Sequence, residues 1–166
     1  MIVENGDGVV GANSYISVFF ADEYFVARGN DAWVGTIRQK EAALIKASDY
    51  IDLRWGSLAG GAQLNEEQGL AWPRCSKGLP KAIRKACAEY AVIALSQTLA
   101  PIPRVDDSGA KTIVTSKEVG PLKQSFAQVT GQTKSGIASM YREYPIPDGM
   151  MLSVIGGSAL NGKVLR

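Results

Sequence analysis

The sequence predicts a mainly α-helical protein: a compact helical bundle with a short β-hairpin arm and an extended C-terminal tail. Three observations carry that expectation. Apolar residues recur at helical spacing between residues 17 and 100, with capping residues at the ends of each periodic stretch. β-Branched residues concentrate later, at Thr112-Ile113-Val114-Thr115. Past Tyr144, prolines and glycines bracket a short apolar run. A chain of 166 residues fits one domain with extensions, and buries roughly 70% of its unfolded surface without help from metal or disulfide. The expected layout is a helical body over 1–103, a β-rich arm and loop over 104–144, and a tail over 145–166.

Each element has a local reason. Ser17 caps a helix over Val18 to Arg28, in which Val18, Ala21 and Phe25 share a face and Gly29 stands where a left-handed terminator is wanted. Thr36 and Gln39 make a T-x-x-Q capping box for the next helix, whose apolar stripe is Ile37, Leu44, Ala47 and Ile51. Glycine-rich punctuation fills 54–79 around Gln68-Gly69-Leu70-Ala71-Trp72-Pro73-Arg74. Pro80 opens a third helix as its first residue, because the missing N–H would have no partner there anyway. Its stripe of Ile83, Cys87, Tyr90 and Ala94 is widened by Leu79, Ala86, Ile93 and Gln97, which predicts a central helix packed on more than one side. Pro101 and Pro103 end it. Val105 to Ala110 reads as a polar turn, Thr112 to Thr115 as a strand, and the segment from Val119 through Leu122–Phe126 as its partner. Residues 130–139 read as a loop, and Ala138 to Tyr144 as one or two helical turns stopped by Pro145 and Pro147.

Composition removes several function classes. With no His among 166 residues, Ser-His and Cys-His catalysis and most zinc sites are excluded. Lys and Arg number 18 against 16 acidic residues, a net charge of +2, too little to mark a nucleic-acid or membrane binder by itself. No apolar run is long enough to span a bilayer, and Met1 to Gly8 lacks the basic start and apolar centre of a secretory signal. Cys75 and Cys87 stand twelve apart with no CxxC, so a reduced cytosolic protein with two structural thiols is expected, while a disulfide between them stays open. The carboxylate pairs Asp22-Glu23, Glu66-Glu67 and Asp106-Asp107 are sequence neighbours whose side chains point apart. No G-x-S-x-G occurs, so no enzyme activity is expected and no cofactor is implied. Gly6-Asp7-Gly8-Val9-Val10-Gly11 is a literal G-x-G-x-x-G, but it lacks the strand-turn-helix setting of a dinucleotide site and reads as a turn.

The basic residues carry the most chemistry. Arg74, Lys77, Lys81, Arg84 and Lys85 are five cations in twelve residues, with Trp72 just upstream. Cations beside an aromatic are the ingredients of a single-strand groove, where charge tracks the backbone and rings stack bases. A solvated helix face, or one meeting an acidic partner, explains the same residues. The aromatics Phe19, Phe20, Tyr24, Phe25, Trp33, Tyr50 and Trp55 are expected in the core, with some covered by a neighbouring subunit.

Several segments together resemble a bacteriophage protein family. They are Ala12-Asn13-Ser14-Tyr15-Ile16-Ser17, Ala21-Asp22-Glu23-Tyr24, Arg28-Gly29-Asn30 before Trp33, the stretch Lys40 to Asp52, Gln68 to Arg74, Leu79-Pro80-Lys81-Ala82-Ile83, and Glu118 to Leu122. Where members of that family have Glu in the first-helix capping box, this chain has Phe20. The family is often labelled DnaT-like and single-stranded-DNA-binding, and it is also similar to the head–tail connector, or adaptor, proteins of tailed phages. That second likeness implies a virion structural protein, made in the host cytoplasm and placed in the neck between capsid and tail. It implies a homo-oligomeric ring, usually a dodecamer, whose subunits touch through Thr36–Leu53 and Pro80–Leu99. Its partners would be the portal protein, a tail-side stopper or tail-terminator protein, and genomic DNA passing without sequence-specific binding; no membrane is involved. Met150, Met151, Leu152, Val154 and Ile155 are then the candidate portal-docking residues of a tail that orders on binding. The alternative is a single-stranded DNA-binding protein of phage replication, using Trp72, Arg74, Lys77, Lys81, Arg84 and Lys85.

Overall fold

The computed structural model describes residues 1–75, 78–100, 104–105, 111–117, 124–128 and 141–155. The chain divides into two compact units, one of Met1–Leu99 with Tyr144–Arg166 and one of Ala100–Glu143.

In the first unit, helix α1 (Val18–Val26) starts where the Ser17 hydroxyl accepts from the Phe20 N–H at 3.1 Å, and the chain leaves it through Gly29 at φ +59°. Helix α2 (Ile37–Trp55) has the full capping box: Thr36 Oγ1 accepts from Gln39 N at 3.3 Å, and Gln39 Oε1 accepts from Thr36 N at 2.8 Å. Leu44, Ala47 and Ile51 of its stripe are fully buried, but Ile37 is 69% exposed, because the stripe runs one turn beyond the side chains that cover it. Helix α3 (Lys81–Ser96) takes Pro80 as its N-cap rather than its first residue.

α2 and α3 approach through small residues. Ala43, Ala47 and Ser48 on one, and Ala86, Cys87 and Ala91 on the other, are all at most 2% exposed. Such residues bring two backbones close, and Leu44, Ile51 and Ile83 then fill the remaining space, each contributing ~1.5–3 kcal/mol of burial. α3 packs against α2, α4 (Pro145–Ile155) and α1, which is the many-sided burial its wide stripe requires.

α4 corrects the expectation of an extended C-terminal tail over residues 145–155, while the remainder of that tail, 156–166, lies outside the described residues. Pro145 and Pro147 start this helix rather than stop one, since a first-turn proline has no N–H bond to lose. The Tyr144 N–H donates to Asp148 Oδ2 at 2.9 Å, capping the turn from within. Tyr141 to Tyr144, read as helical turns from the sequence, are not helical. Asp148 lies 8% exposed and takes a bidentate pair from Arg54 of α2, Nη1 to Oδ1 at 2.9 Å and Nη2 to Oδ2 at 2.8 Å. The Tyr90 hydroxyl of α3 donates to the same carboxylate at 2.5 Å and accepts from Trp55 Nε1 at 3.1 Å. Burial and that carboxylate push the Tyr90 phenol well above its ordinary range. Around this centre the rings of Tyr50, Tyr90 and Tyr144 pack edge to face, with centroids 5.0 to 6.1 Å apart.

In the second unit, β1 (Arg104–Val105), β2 (Lys111–Lys117) and β3 (Gln124–Gln128) form an antiparallel sheet in the order β1-β2-β3. Thr112 pairs with Gln128 and Val114 with Phe126, and a bulge follows between Val114 and Ser116. Arg104-Val105, read in part as the start of a polar turn, pairs instead with Lys111-Thr112. Pro101, Pro103 and the 130–139 loop lie outside the described residues.

The Cys75–Cys87 disulfide left open above does not form. Cys75 is exposed, while Cys87 is buried under α2 with its thiol pushed up to about 12 by burial. A thiol reagent should therefore label one cysteine in the native protein and two after unfolding; equal rates for both in the native state would contradict the packing. Asp148→Ala, by leaving the Arg54 guanidinium buried without its carboxylate, is expected to lower stability by roughly 3–5 kcal/mol in chemical denaturation.

Candidate nucleic-acid interface

The segment ahead of α3 is built on the N-terminal loop. Gly69 passes so close to this loop that a Cβ there would lie 2.1 Å from the Ala12 carbonyl oxygen, so only glycine fits. The phenol of Tyr15 donates to Asp52 of α2, and Asp52 Oδ2 accepts from Ala71 N at 2.8 Å. Tyr15 oxygen in turn accepts from Trp72 N at 3.3 Å. One carboxylate thus joins the N-terminal loop, α2 and the segment that leads into α3. Burial raises Asp52 to about 6 despite the opposing hydrogen bonds from Tyr15 and Ala71.

The glycine motif has an occupant of its own. Backbone N–H groups of Gly6 and Gly8 donate to Glu4 Oε1 at 2.8 and 3.0 Å, and Val9 N donates to Oε2 at 2.8 Å. This is an anion nest, filled by the carboxylate of a residue that is 2% exposed. The turn reading of the G-x-G-x-x-G therefore stands, with its N–H groups spent inside the fold.

The predicted cationic residues separate into two groups. Trp72 is 1% exposed and packs against Tyr15 with centroids 6.4 Å apart, so no base can reach its face. Arg74 is committed to the fold: Nη1 donates to the Gly61 carbonyl at 3.0 Å and Nη2 to the Gly56 carbonyl at 3.2 Å. Both residues are corrected from binding to structural roles, because a large indole gains more from burial than from solvent and a guanidinium fork suits two orphan carbonyls. Lys77 lies outside the described residues. Lys81 and Lys85 are exposed on the first two turns of α3, with Arg84 half-buried between them. Arg84 Nη2 reaches the Asn5 carbonyl at 3.5 Å, bringing the cationic turn beside the glycine loop. No ion-pair partner meets Lys81, Arg84 or Lys85 among the described residues. No acidic residue occupies the first turn of α3, and no side chain caps it.

A family model described as "Putative DnaT-like ssDNA binding protein" matches residues 1–166. The chain belongs to this DnaT-like family. No match was found among curated proteins or among solved structures. The family finding overturns the head–tail adaptor expectation, since its description is of single-stranded DNA binding. The ring, portal and tail-side partners, and the virion-neck location, stood on the adaptor likeness alone. The candidate docking residues also sit differently from that picture: Met151 and Ile155 are buried in the body, Met150 and Val154 are half-buried, and Leu152 is 40% exposed.

Among the described residues, no group of three or more metal-ligating side chains gathers, and no helix is long and apolar enough to cross a membrane. Sequence reasoning missed the Tyr15–Asp52 tie, which spans 37 residues and leaves no local signal. It placed Phe20 and Tyr24 among aromatics of the core or of a subunit contact and did not join them to Arg28, although the i, i+4, i+8 spacing is legible; the three stack along α1 and the turn after it.

Asp52 sets a pH dependence whose sign follows from its raised native value. Between about 4 and about 6 the native state binds more protons than the unfolded chain, so stability falls as pH rises through that window. The loss attributable to Asp52 should reach at most ~3 kcal/mol. Asp52→Asn should lack this component, so the wild-type-minus-variant difference in unfolding free energy should fall as pH rises from about 4 to about 6, and a difference that stays flat there would place the titration elsewhere.

Proposed function

We propose that this DnaT-like protein binds single-stranded DNA through its phosphate backbone at the N-terminal end of α3. The observation that carries this reading is the placement of Lys81, Arg84 and Lys85 within the first five residues of a helix that has neither a capping side chain nor an acidic first turn. The start of a helix already bears partial positive charge, and each added cation there costs ~0.3–1 kcal/mol. A helix chosen for stability alone would carry Asp or Glu in those positions. Phosphates reverse the sign of the term, because they meet the unpaired N–H groups, the helix dipole and the side-chain charges together.

The family description supports the same ligand. With a net charge of only +2, the chain as a whole adds little general attraction for an anionic strand, so the reading rests on this local group of cations. The reading is one of binding, and no catalytic group is assigned. Trp72 and Arg74 take no part in it.

The test is a salt titration of binding to a short oligothymidylate, comparing wild type with the combined Lys81→Ala, Arg84→Ala, Lys85→Ala variant. Counterion release by three phosphate contacts gives a slope of about −2 in log affinity against log salt. The variant should lose most of that slope together with its affinity. Its thermal stability should hold or rise, since three charges opposed to the dipole have been removed. A variant that binds with the wild-type slope would overturn the assignment.

A further inference from the structure

The strand reading leaves open what the bases contact, now that Trp72 is buried. Resting on that reading, we propose that the stacked ladder made by Phe20 and Tyr24 of α1 with Arg28 of the turn that follows it is the base-stacking track for the single strand whose phosphates meet Lys81, Arg84 and Lys85.

The ladder is a physical object rather than a spacing pattern. The rings of Phe20 and Tyr24 lie 6.4 Å apart at an interplanar angle of 17°, and the Arg28 guanidinium carbon sits 3.5 Å above the Tyr24 ring centre. Arg28 Nη1 also donates to the Tyr24 carbonyl at 2.9 Å, which fixes the plane of the guanidinium. Tyr24 thus contacts both neighbours, and the two ends of the ladder are a half-exposed phenyl ring and an exposed guanidinium. Each end offers a flat π surface of the kind on which nucleobases stack. Phe19, beside the Phe20 end, is 70% exposed, so ring surface there faces solvent without a partner from the fold.

The ladder is tied to the cationic helix. Tyr24 OH donates to Glu89 Oε1 at 2.8 Å, and burial together with that bond pushes the phenol up to about 12, keeping it a donor at neutral pH. Glu89 stands four residues after Lys85, about one turn along the same face of α3. Tyr24, at the middle of the ladder, thus meets α3 about one turn beyond Lys85. Among the described residues, Arg28 has no ion-pair partner either. Of the charged side chains named here, Arg28, Lys81, Arg84 and Lys85 are cationic and Glu89 is anionic, a balance that suits an anionic strand whose bases turn toward α1.

The experiment uses the full chain and variants that preserve charge. Phe20→Leu keeps apolar bulk and removes the π face; Arg28→Lys keeps the charge and removes the plane at an exposed position, and thermal denaturation of both variants checks that the fold is kept. Wild type should bind oligothymidylate more tightly than an abasic oligodeoxyribose phosphate of equal length. Each variant should weaken oligothymidylate binding by roughly tenfold, leave the salt slope unchanged, and reduce the quenching of a 2-aminopurine base in the strand. Equal affinity for the abasic strand, or wild-type affinity and quenching in both variants, would overturn the stacking track while leaving the phosphate reading in place. Failure of wild type to bind either strand at low salt would overturn the phosphate reading, and the track with it.

Discussion

The carboxylate of Asp148 is the point on which the helical unit closes. It accepts both arms of the Arg54 fork, the Tyr90 hydroxyl and the Tyr144 N–H, so groups from α2, α3 and the start of α4 converge on two oxygens. A charge this buried is tolerable only when fully bonded, because an isolated carboxylate would lose its hydration with nothing in return. The arrangement has a corollary for α4: its apolar residues Met151 and Ile155 are held against the body by a polar lock rather than by apolar burial alone. A segment whose sequence reads as a loose apolar tail is thereby made part of the core.

The same economy of polar groups shapes the other end of the unit. Glu4 fills the nest made by Gly6, Gly8 and Val9, Asp52 collects Tyr15 and Ala71, and Arg74 satisfies two loop carbonyls. Against that background, α3 begins with three cations and no capping side chain, whereas α2, which also lacks an acidic first turn, has a full capping box. Cations stand where the helix dipole opposes them, and no carboxylate answers them within the described residues. A local conflict of this kind is informative, since folds keep such conflicts chiefly where a ligand resolves them.

Two residues show how a chemical pattern misleads when burial is unknown. Trp72 and Arg74 beside a run of lysines read as a strand-binding groove, yet burial withdraws the indole and two carbonyls claim the guanidinium. The α1 ladder satisfies the same chemistry with Phe20 and Arg28, four residues to either side of Tyr24. Its spacing is present in the sequence, but helical spacing is equally the signature of a packed face. Only exposure at the ends of the ladder separates the two.

By itself, the sequence determined what depends on short-range chemistry. The Ser17 cap, the Thr36–Gln39 capping box, the buried stripes of α2 and α3 and the β-branched strand β2 all follow from contacts within a few residues, where spacing is geometry. The mainly helical class follows from them. The tertiary structure alone decided whether Pro145 starts or stops a helix, that Glu4 occupies the glycine nest, and which cations remain unpaired. Each of those outcomes depends on a partner far along the chain, as Arg54 and Asp148 are 94 residues apart. Hydrogen-bond satisfaction and exclusion of water are properties of the assembled interior, and no local window contains both halves of such a pair.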